Sequence, residues 1–237
     1  MGMTRVTRRR SRHEEEDNDT GRRDMRKQRT RRALLDAALE LMQGDQSFNS
    51  ISLREVARNA GVVPTAFYRH FRDMDELGLT LVEEALRALR QMMREARSAP
   101  LPASSLITRS VQTYIGYVQA NRDYFQFLAK ERFGGSRALR NAVRQGTALF
   151  ISELATDLAR FPAANRLSTE ELQMISSLIV NIMISTTEQL LDLPPGNDAE
   201  VDWLQDQAAQ QMRLVFLGSM QWKPKSERDK QKILAQG

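Results

Sequence analysis

Apolar residues recur at helical spacing along most of the chain, beginning near Met25. The first clear run, which places one apolar face on a helix, consists of Ala33, Leu34, Ala37, Ala38, Leu41 and Met42. Segments with this periodicity are separated by breaks at 44–47, 61, 73, 99–102, 134–135, 161–167 and 192–197. No segment alternates apolar and polar residues between hairpin turns. The pattern therefore predicts an all-α fold.

Two long periodic segments close the sequence, at 168–191 and 198–222. Their length suits packing against each other or against the copies of a second chain. The longest uncharged run, 172–187, is shorter than the roughly 20 apolar residues of a membrane helix, and Gln173 and Asn181 interrupt it. The sequence predicts no contact with a membrane. It also shows no secretory signal, so we expect a cytoplasmic protein.

The two ends of the chain differ in composition from its middle. Residues 1–24 carry arginines followed by acidic residues with almost nothing apolar, which predicts a disordered extension; an arm that grasps DNA is the alternative. The expected division is this extension, a helix-turn-helix domain at 25–73, a ligand-binding and dimerisation domain at 74–223, and a disordered tail at 224–237.

The stretch 50–77 carries the most specific local signals. Ser52 and Glu55 have the spacing of a capping box at the start of a helix. Gly61 suits a sharp turn, and Pro64 suits the first turn of a new helix. Asp73 is placed to cap the helix after that. A helix, a glycine turn and a short helix with a polar face form a helix-turn-helix, whose second helix, predicted at 64–71, enters the major groove of DNA.

Composition narrows the chemistry. The chain has no cysteine and two histidines, His13 and His70, so disulfides and thiolate metal sites are excluded and little remains for acid–base or nucleophilic catalysis. Nucleotide-binding and hydrolase signatures are missing. We therefore expect no enzyme, no metal and no cofactor. The net charge of +5 weakly favours anionic partners such as nucleic acid.

The helix-turn-helix region resembles the DNA-binding domain of TetR-family regulators over about residues 30–77. The resemblance is carried by Val56-Ala57, Ala60-Gly61-Val62, Phe67-Tyr68, His70-Phe71 and Glu76-Leu77. It implies a homodimer that binds a near-palindromic double-stranded DNA operator. Where the family usually has a phosphate-contacting lysine, this chain has Met74, so that contact is missing or supplied by Arg72.

We call the second helix of the predicted helix-turn-helix, at 64–71, the reading helix. Its residues and the basic run at 26–32 are the expected DNA contacts, since phosphate contacts dominate affinity. The basic run at 26–32, in which we expect phosphate contacts, comprises Arg26, Lys27, Arg29, Arg31 and Arg32. The predicted DNA-binding residues are Arg26, Lys27, Ser52, Arg54, Pro64, Thr65, Ala66, Tyr68, Arg69, His70 and Arg72.

Within the family, the stretches 52–58, 67–73, 75–79 and 130–132 resemble the FabR/DesT group of fatty-acid regulators. This implies a repressor of fatty-acid desaturation genes that responds to long-chain acyl-CoA. A repressor that senses a hydrophobic drug is the alternative; it would need buried carboxylates, and Glu188 is the one acid well inside the long apolar segment. A DNA-coating protein without sequence preference is a third reading.

The resemblance implies an acyl-chain tunnel among the middle helices, about 86–150, although aromatic residues there also fit an ordinary core. The predicted ligand-binding residues are Leu89, Met93, Tyr114, Tyr117, Phe125, Leu128, Phe133, Phe150 and Met183. A second basic group could bind the coenzyme A phosphates or form a solvated surface; it consists of Lys130, Arg132, Arg137, Arg140 and Arg144.

Overall fold

The computed structural model describes residues 5–43, 46–97, 103–194 and 196–222, and the predicted tail at 224–237 lies outside them. Over these ranges the regular structure is helical, which confirms the all-α prediction. The helices are α1 (Arg5–Leu41), α2 (Leu53–Asn59), α3 (Pro64–Phe67), α4 (Met74–Arg97), α5 (Ala103–Ala120), α6 (Arg122–Glu131), α7 (Arg137–Leu158), α8 (Thr169–Asp192) and α9 (Asp198–Gln221), with 3-10 turns at Phe48–Ser50 and Pro162–Ala164.

Helix α1 begins at Arg5 and so includes most of the stretch for which the sequence predicts disorder. The charge pattern gives a physical reason for the difference. In the sequence, Arg10 precedes Glu14 by four residues and Arg12 precedes Glu16 by four, a spacing of opposite charges that favours helix formation. Low apolar content argues against a packed core there, but it does not argue against a helix.

The chain forms two compact units. The N-terminal unit comprises Met1–Val82 and Lys130–Arg140, and the C-terminal unit comprises Glu83–Ala129 and Asn141–Gly237. The N-terminal unit extends beyond the predicted domain boundary after residue 73 and includes a second segment of chain. Leu77 and Leu81 are fully buried, which explains why the first turns of α4 belong to that unit.

Helices α1, α2 and α3 pack together in the N-terminal unit. Their apolar faces supply its core, and Leu34, Val56 and Phe67 are fully buried there. The rings of Phe67 and Phe71 lie 5.6 Å apart, as their spacing of four residues predicts. The core therefore fixes the segment that follows Gly61.

In the C-terminal unit, α9 packs against both α5 and α8. The bounds of α8 and α9 agree closely with the two long predicted segments, and a capping box between Ser168 and Glu171 sets the start of α8. Among the described residues, α8 is the one helix long and apolar enough to cross a membrane by length and composition. A core helix passes the same test, and α8 buries eight residues against its neighbours.

Candidate functional site

Helix α2 starts with the predicted capping box. The N–H of Glu55 donates to the Ser52 hydroxyl (3.3 Å), and the N–H of Ser52 donates to the Glu55 carboxylate (2.8 Å). These hydrogen bonds with Ser52 lower the pKa of Glu55. The Ser52 hydroxyl also donates to Glu55 (2.7 Å). Its proton is therefore engaged at the start of α2, although Ser52 is a predicted DNA-binding residue. Arg54, one turn away on the surface, is exposed.

The turn between α2 and α3 is built on Gly61. Its φ of +68° lies in the left-handed region, where a side chain is strained. The N–H of Val62 donates to the Ala57 carbonyl (2.9 Å) and that of Gly61 to Arg58 (3.1 Å), which closes the end of α2 as a Schellman motif. The helix-turn-helix geometry predicted from the sequence is therefore present.

The reading helix is shorter than predicted. Helix α3 ends at Phe67, and the chain continues in a turn in which the N–H groups of His70 (2.8 Å) and Phe71 (3.0 Å) both donate to the Phe67 carbonyl. This sharing follows from the approach of Asp73, which must start α4 only six residues later. We call the whole segment 64–71 the reading turn. Its exposed residues, available to DNA, are Pro64, Thr65, Tyr68 and Arg69, whereas Ala66 is half-buried.

His70 is less suited to a charged phosphate contact than the sequence suggests. It is half-buried, and its Nδ1 atom is buried without a hydrogen-bond partner among the described residues. Burial is the main cause that lowers the pKa of His70, and the charges of Lys27, Arg31 and Arg69 lower it further. The imidazole is therefore neutral at pH 7 and can donate through one nitrogen only.

Arg31 points into the N-terminal unit, in contrast to its predicted place in a phosphate-binding run. Its guanidinium donates to the His70 carbonyl (3.1 Å) and the Thr80 hydroxyl (3.3 Å). It also lies over the Phe71 ring, 4.4 Å from the centroid. Arg31 thus ties α1 to the end of the reading turn, while Arg26 and Lys27 remain exposed.

Arg72 and Asp73 form the junction between the reading turn and α4. The N–H of Glu76 donates to Asp73 (2.8 Å), as predicted for a helix cap, and this bond is the main cause that lowers the pKa of Asp73. The Arg72 guanidinium lies 3.0 Å from the Asp73 carboxylate. The Arg72 side chain is 79% exposed, so a phosphate can replace Asp73 as its partner at little cost.

The segment 130–140 belongs to the N-terminal unit, which changes the role of the second basic group. Lys130 donates to the carbonyls of Met42 (2.8 Å) and Gln46 (3.3 Å), so it closes the end of α1. Arg140 donates to the carbonyls of Gly134 and Gly135. Both cations are thus engaged with backbone carbonyls of their own unit, which argues against coenzyme A phosphates as their partners.

Phe133 also leaves the predicted ligand set. It lies in the same segment and is 79% exposed. The guanidinium of Arg132 is 5.3 Å from the centroid of its ring.

Glu131 is a buried acid in the N-terminal unit, with 1% of its surface exposed. Burial raises its pKa, and the Phe48 N–H together with the charges of Arg140 and Lys130 opposes the shift. A Cβ on Gly134 would lie 2.3 Å from a Glu131 carboxyl oxygen, so a larger residue there would require the carboxyl group to shift.

We expect Glu131→Gln to stabilise the protein in a pH-dependent way. Because the folded-state pKa lies above the ordinary value of 4.5, the stability that Glu131 contributes is fully present below pH 4.5 and is lost as pH rises through the raised value. The loss is about 1.4 kcal/mol for each unit of pKa difference. We expect the melting temperature of the variant to rise relative to that of the wild type as the pH increases from 4 to 9. A constant difference between the two proteins over this pH range would contradict this assignment.

The predicted ligand residues of the C-terminal unit come together. Leu89, Met93, Tyr114, Phe125 and Met183 are buried in one apolar cluster, with Tyr117 and Phe150 packed against it. The Phe125 ring lies edge-on to Tyr114 (6.1 Å) and to Tyr117 (5.9 Å). Leu128 is buried as well. Whether a ligand enters this cluster remains a prediction.

One polar contact lies inside the apolar cluster. The hydroxyls of Tyr114 and Thr187 are 2.7 Å apart, and the Thr187 hydroxyl donates to the Met183 carbonyl (2.8 Å). Thr187 has only one proton, so Tyr114 is the donor between them. Burial raises the pKa of Tyr114 to about 12, so the phenol is neutral at any physiological pH.

Comparison with known proteins identifies both parts of the chain. Residues 34–80 match the model of bacterial regulatory proteins of the tetR family, and residues 103–218 match the tetracyclin repressor-like C-terminal domain. The chain belongs to the TetR family. It is a TetR-type transcriptional regulator, and its helix-turn-helix at residues 53–67 is the DNA-binding element of that family.

Solved structures share the fold at low sequence identity. The fatty acid degradation regulator FadR from Bacillus halodurans has a TM-score of 0.64 at 13% identity, covering 78% of this chain and 94% of its own. FadR from Bacillus subtilis, solved in complex with stearoyl-CoA, has a TM-score of 0.60 at 14% identity, covering 77% and 96%. A tetR family regulator from Shewanella sp. PV-4 has a TM-score of 0.60 at 16% identity, covering 78% and 95%.

Proposed function

We propose that this TetR-type regulator is a cytoplasmic repressor of fatty-acid desaturation genes, of the DesT type, that responds to long-chain acyl-CoA. It acts as a homodimer on a near-palindromic operator. Each protomer places the exposed residues of its reading turn, Thr65, Tyr68 and Arg69, in one major groove. The exposed cations Arg26 and Lys27 contact the flanking phosphates.

The apolar cluster of the C-terminal unit is the observation that supports an acyl effector. Its side chains are aliphatic, aromatic or thioether, and the hydroxyls of Tyr114 and Thr187 both have hydrogen-bond partners. The described residues of this unit include no carboxylate among the buried side chains. Such surroundings favour a neutral hydrocarbon chain over a charged ligand, since burying an unpaired charge is costly.

A repressor that senses a hydrophobic drug is the second candidate, and the acids argue against a cationic drug. Glu188, the acid that the sequence offers for this role, is exposed. Glu153 is half-buried, but it lies 3.3 Å from Arg94 and 3.7 Å from Arg90, so its charge is already balanced. Neither carboxylate is placed to neutralise a cation in the apolar cluster.

Sensitivity to chain saturation follows from packing density. A cis double bond bends an acyl chain, and a close-packed interior resists such a change of shape. Met93 and Met183 can adjust to either chain, but at different cost. Bent and straight effectors then stabilise different arrangements of the dimer, and the difference in affinity sets the shift in operator binding.

The test is a titration of operator binding with two acyl-CoAs of equal length that differ by one cis double bond. We expect the two ligands to change the operator affinity to different extents, about 5- to 150-fold being typical of allosteric coupling. Equal operator affinity at saturation with both ligands would remove saturation sensing. No binding of either would remove acyl-CoA as the effector and leave the drug-sensing alternative.

A further inference from the structure

The start of helix α7 lies beside the start of helix α4 in the N-terminal unit. The Ser136 hydroxyl donates to the Asp75 carboxylate (3.0 Å) and accepts from the N–H of Leu139 (3.3 Å), so one side chain both begins α7 and joins it to α4. A Cβ on Gly78 would lie 2.9 Å from Leu139, which shows how closely the two helices approach. Asp75 lies close to the reading turn in sequence, three residues after Arg72.

Arg137, the residue after Ser136, is the cation at the start of α7. It is exposed and has no ion pair or hydrogen bond with the described residues, whereas Lys130 and Arg140 are bound to carbonyls. It occupies the first position of α7, where the positive end of the helix dipole disfavours a cation. Helix stability alone would favour an acid at this position, so the arginine has no evident structural purpose.

Helix α4 brings no cation of its own to this place. Its first residues are Met74, Asp75 and Glu76, one uncharged and two acidic. The Ser136 hydrogen bond occupies Asp75, and the Arg72 N–H donates to Glu76 (2.7 Å). Both acids are held by hydrogen bonds within the N-terminal unit, and Arg137 adds an exposed positive charge to those of Arg69 and Arg72.

We propose that Arg137 contacts a DNA phosphate next to the half-site, so that the start of α7 extends the DNA-binding surface beyond the helix-turn-helix. The contact is to the backbone and adds affinity without sequence preference. Ser136 is a positioning residue, since it holds the start of α7 against α4. The inference rests on the proposed operator binding.

Salt dependence tests this contact directly, because each phosphate contact contributes about 0.9 to the slope of log K against log salt concentration. The probes are a 40-base-pair duplex selected from a random pool by the wild-type protein, and an unrelated duplex of equal length. We expect Arg137→Gln to weaken binding to both duplexes several-fold and to reduce the slope by about 0.9 for each bound protomer. Ser136→Ala should reduce it partly.

Arg144→Gln is the matched control, since Arg144 is exposed on the same helix but belongs to the C-terminal unit. It should leave both slopes unchanged. If Arg137→Gln behaves like this control while the wild type binds with a steep slope, the Arg137 contact is refuted and the proposed function stands. If the wild type selects no duplex and binds neither probe, the operator function fails, and this inference fails with it.

Discussion

Leu214→Asp should convert the dimer into monomers and reduce operator affinity by more than a hundredfold. Leu214 is 70% exposed on α9, although a leucine gains most from burial. It belongs to a set of exposed apolar residues on α8, on α9 and just after α9, comprising Met174, Leu178, Trp203, Leu214, Leu217, Met220 and Trp222. An apolar patch of this kind on two long helices is the face that we expect to pack against a second protomer.

The magnitude follows from symmetry. A two-fold interface presents the same patch from both protomers, so one substitution introduces two carboxylates. Burying an unpaired charge costs about 3–5 kcal/mol, which corresponds to a loss of more than a hundredfold in dimer affinity. Operator binding falls in parallel, because two linked half-sites become two independent ones.

Sedimentation of the wild type and the variant at micromolar concentration is the measurement. Leu149→Asp, at an exposed leucine on α7, is the control and should remain dimeric. Because Leu214 is exposed within its own protomer, the variant should keep its helical content as a monomer, while its melting temperature falls by the stabilisation that dimerisation no longer supplies. Ile179 would be a poorer choice, since it packs against the apolar cluster and a charge there would disturb the fold itself. A wild-type monomer would contradict the interface.

Local signals explain why much of the DNA-binding element could be predicted from the sequence. The capping box at Ser52, the left-handed Gly61 and the cap at Asp73 each depend on residues within four positions, and their chemistry allows few alternatives. The helical period likewise predicts α8 and α9 to within one residue. These features would survive in almost any fold that contained the same stretch.

Contacts between distant residues explain the errors. The pairing of Lys130 with the Met42 carbonyl joins residues 88 positions apart, and no periodicity within either stretch points to it. The burial of Glu131 has the same origin, since Phe48, whose N–H acts on its carboxylate, lies more than 80 positions earlier in the sequence. Arg31 resembles its basic neighbours in sequence, yet it alone meets the Phe71 ring and the His70 carbonyl.

The placement of the 130–140 segment has a functional consequence. The sequence alone assigns its cations to the effector, whereas the structure assigns the segment to the unit that binds DNA. Helices α6 and α7 each belong partly to both units, as does α4. Any change that an effector makes in these three helices therefore acts on residues that are continuous with the DNA-binding unit. The proposed phosphate contact of Arg137 would respond to such a change.

Arg122→Ala should cost the protein about 2–3 kcal/mol of stability, because its side chain completes the end of α8. The guanidinium donates to the carbonyls of Leu190 (3.2 Å), Leu191 and Leu193 (2.9 Å), the groups that a helix leaves without partners in its last turn. Arg122 itself starts α6, so it joins two helices that are 68 to 71 residues apart in sequence. For a chain of this size the loss corresponds to a fall in melting temperature of about 5–10 °C.

Two further variants separate the cap from its charge. Arg122→Lys keeps the charge but lacks the planar fork that reaches three acceptors, so it should recover less than half of the loss. Arg166→Ala removes a single exposed hydrogen bond to the Ser219 carbonyl (2.8 Å) and should cost less than about 1 kcal/mol. Urea denaturation of the full chain, read by circular dichroism, measures all three. Equal losses for Arg122→Ala and Arg166→Ala would show that the three carbonyls are satisfied without the arginine, most simply by water.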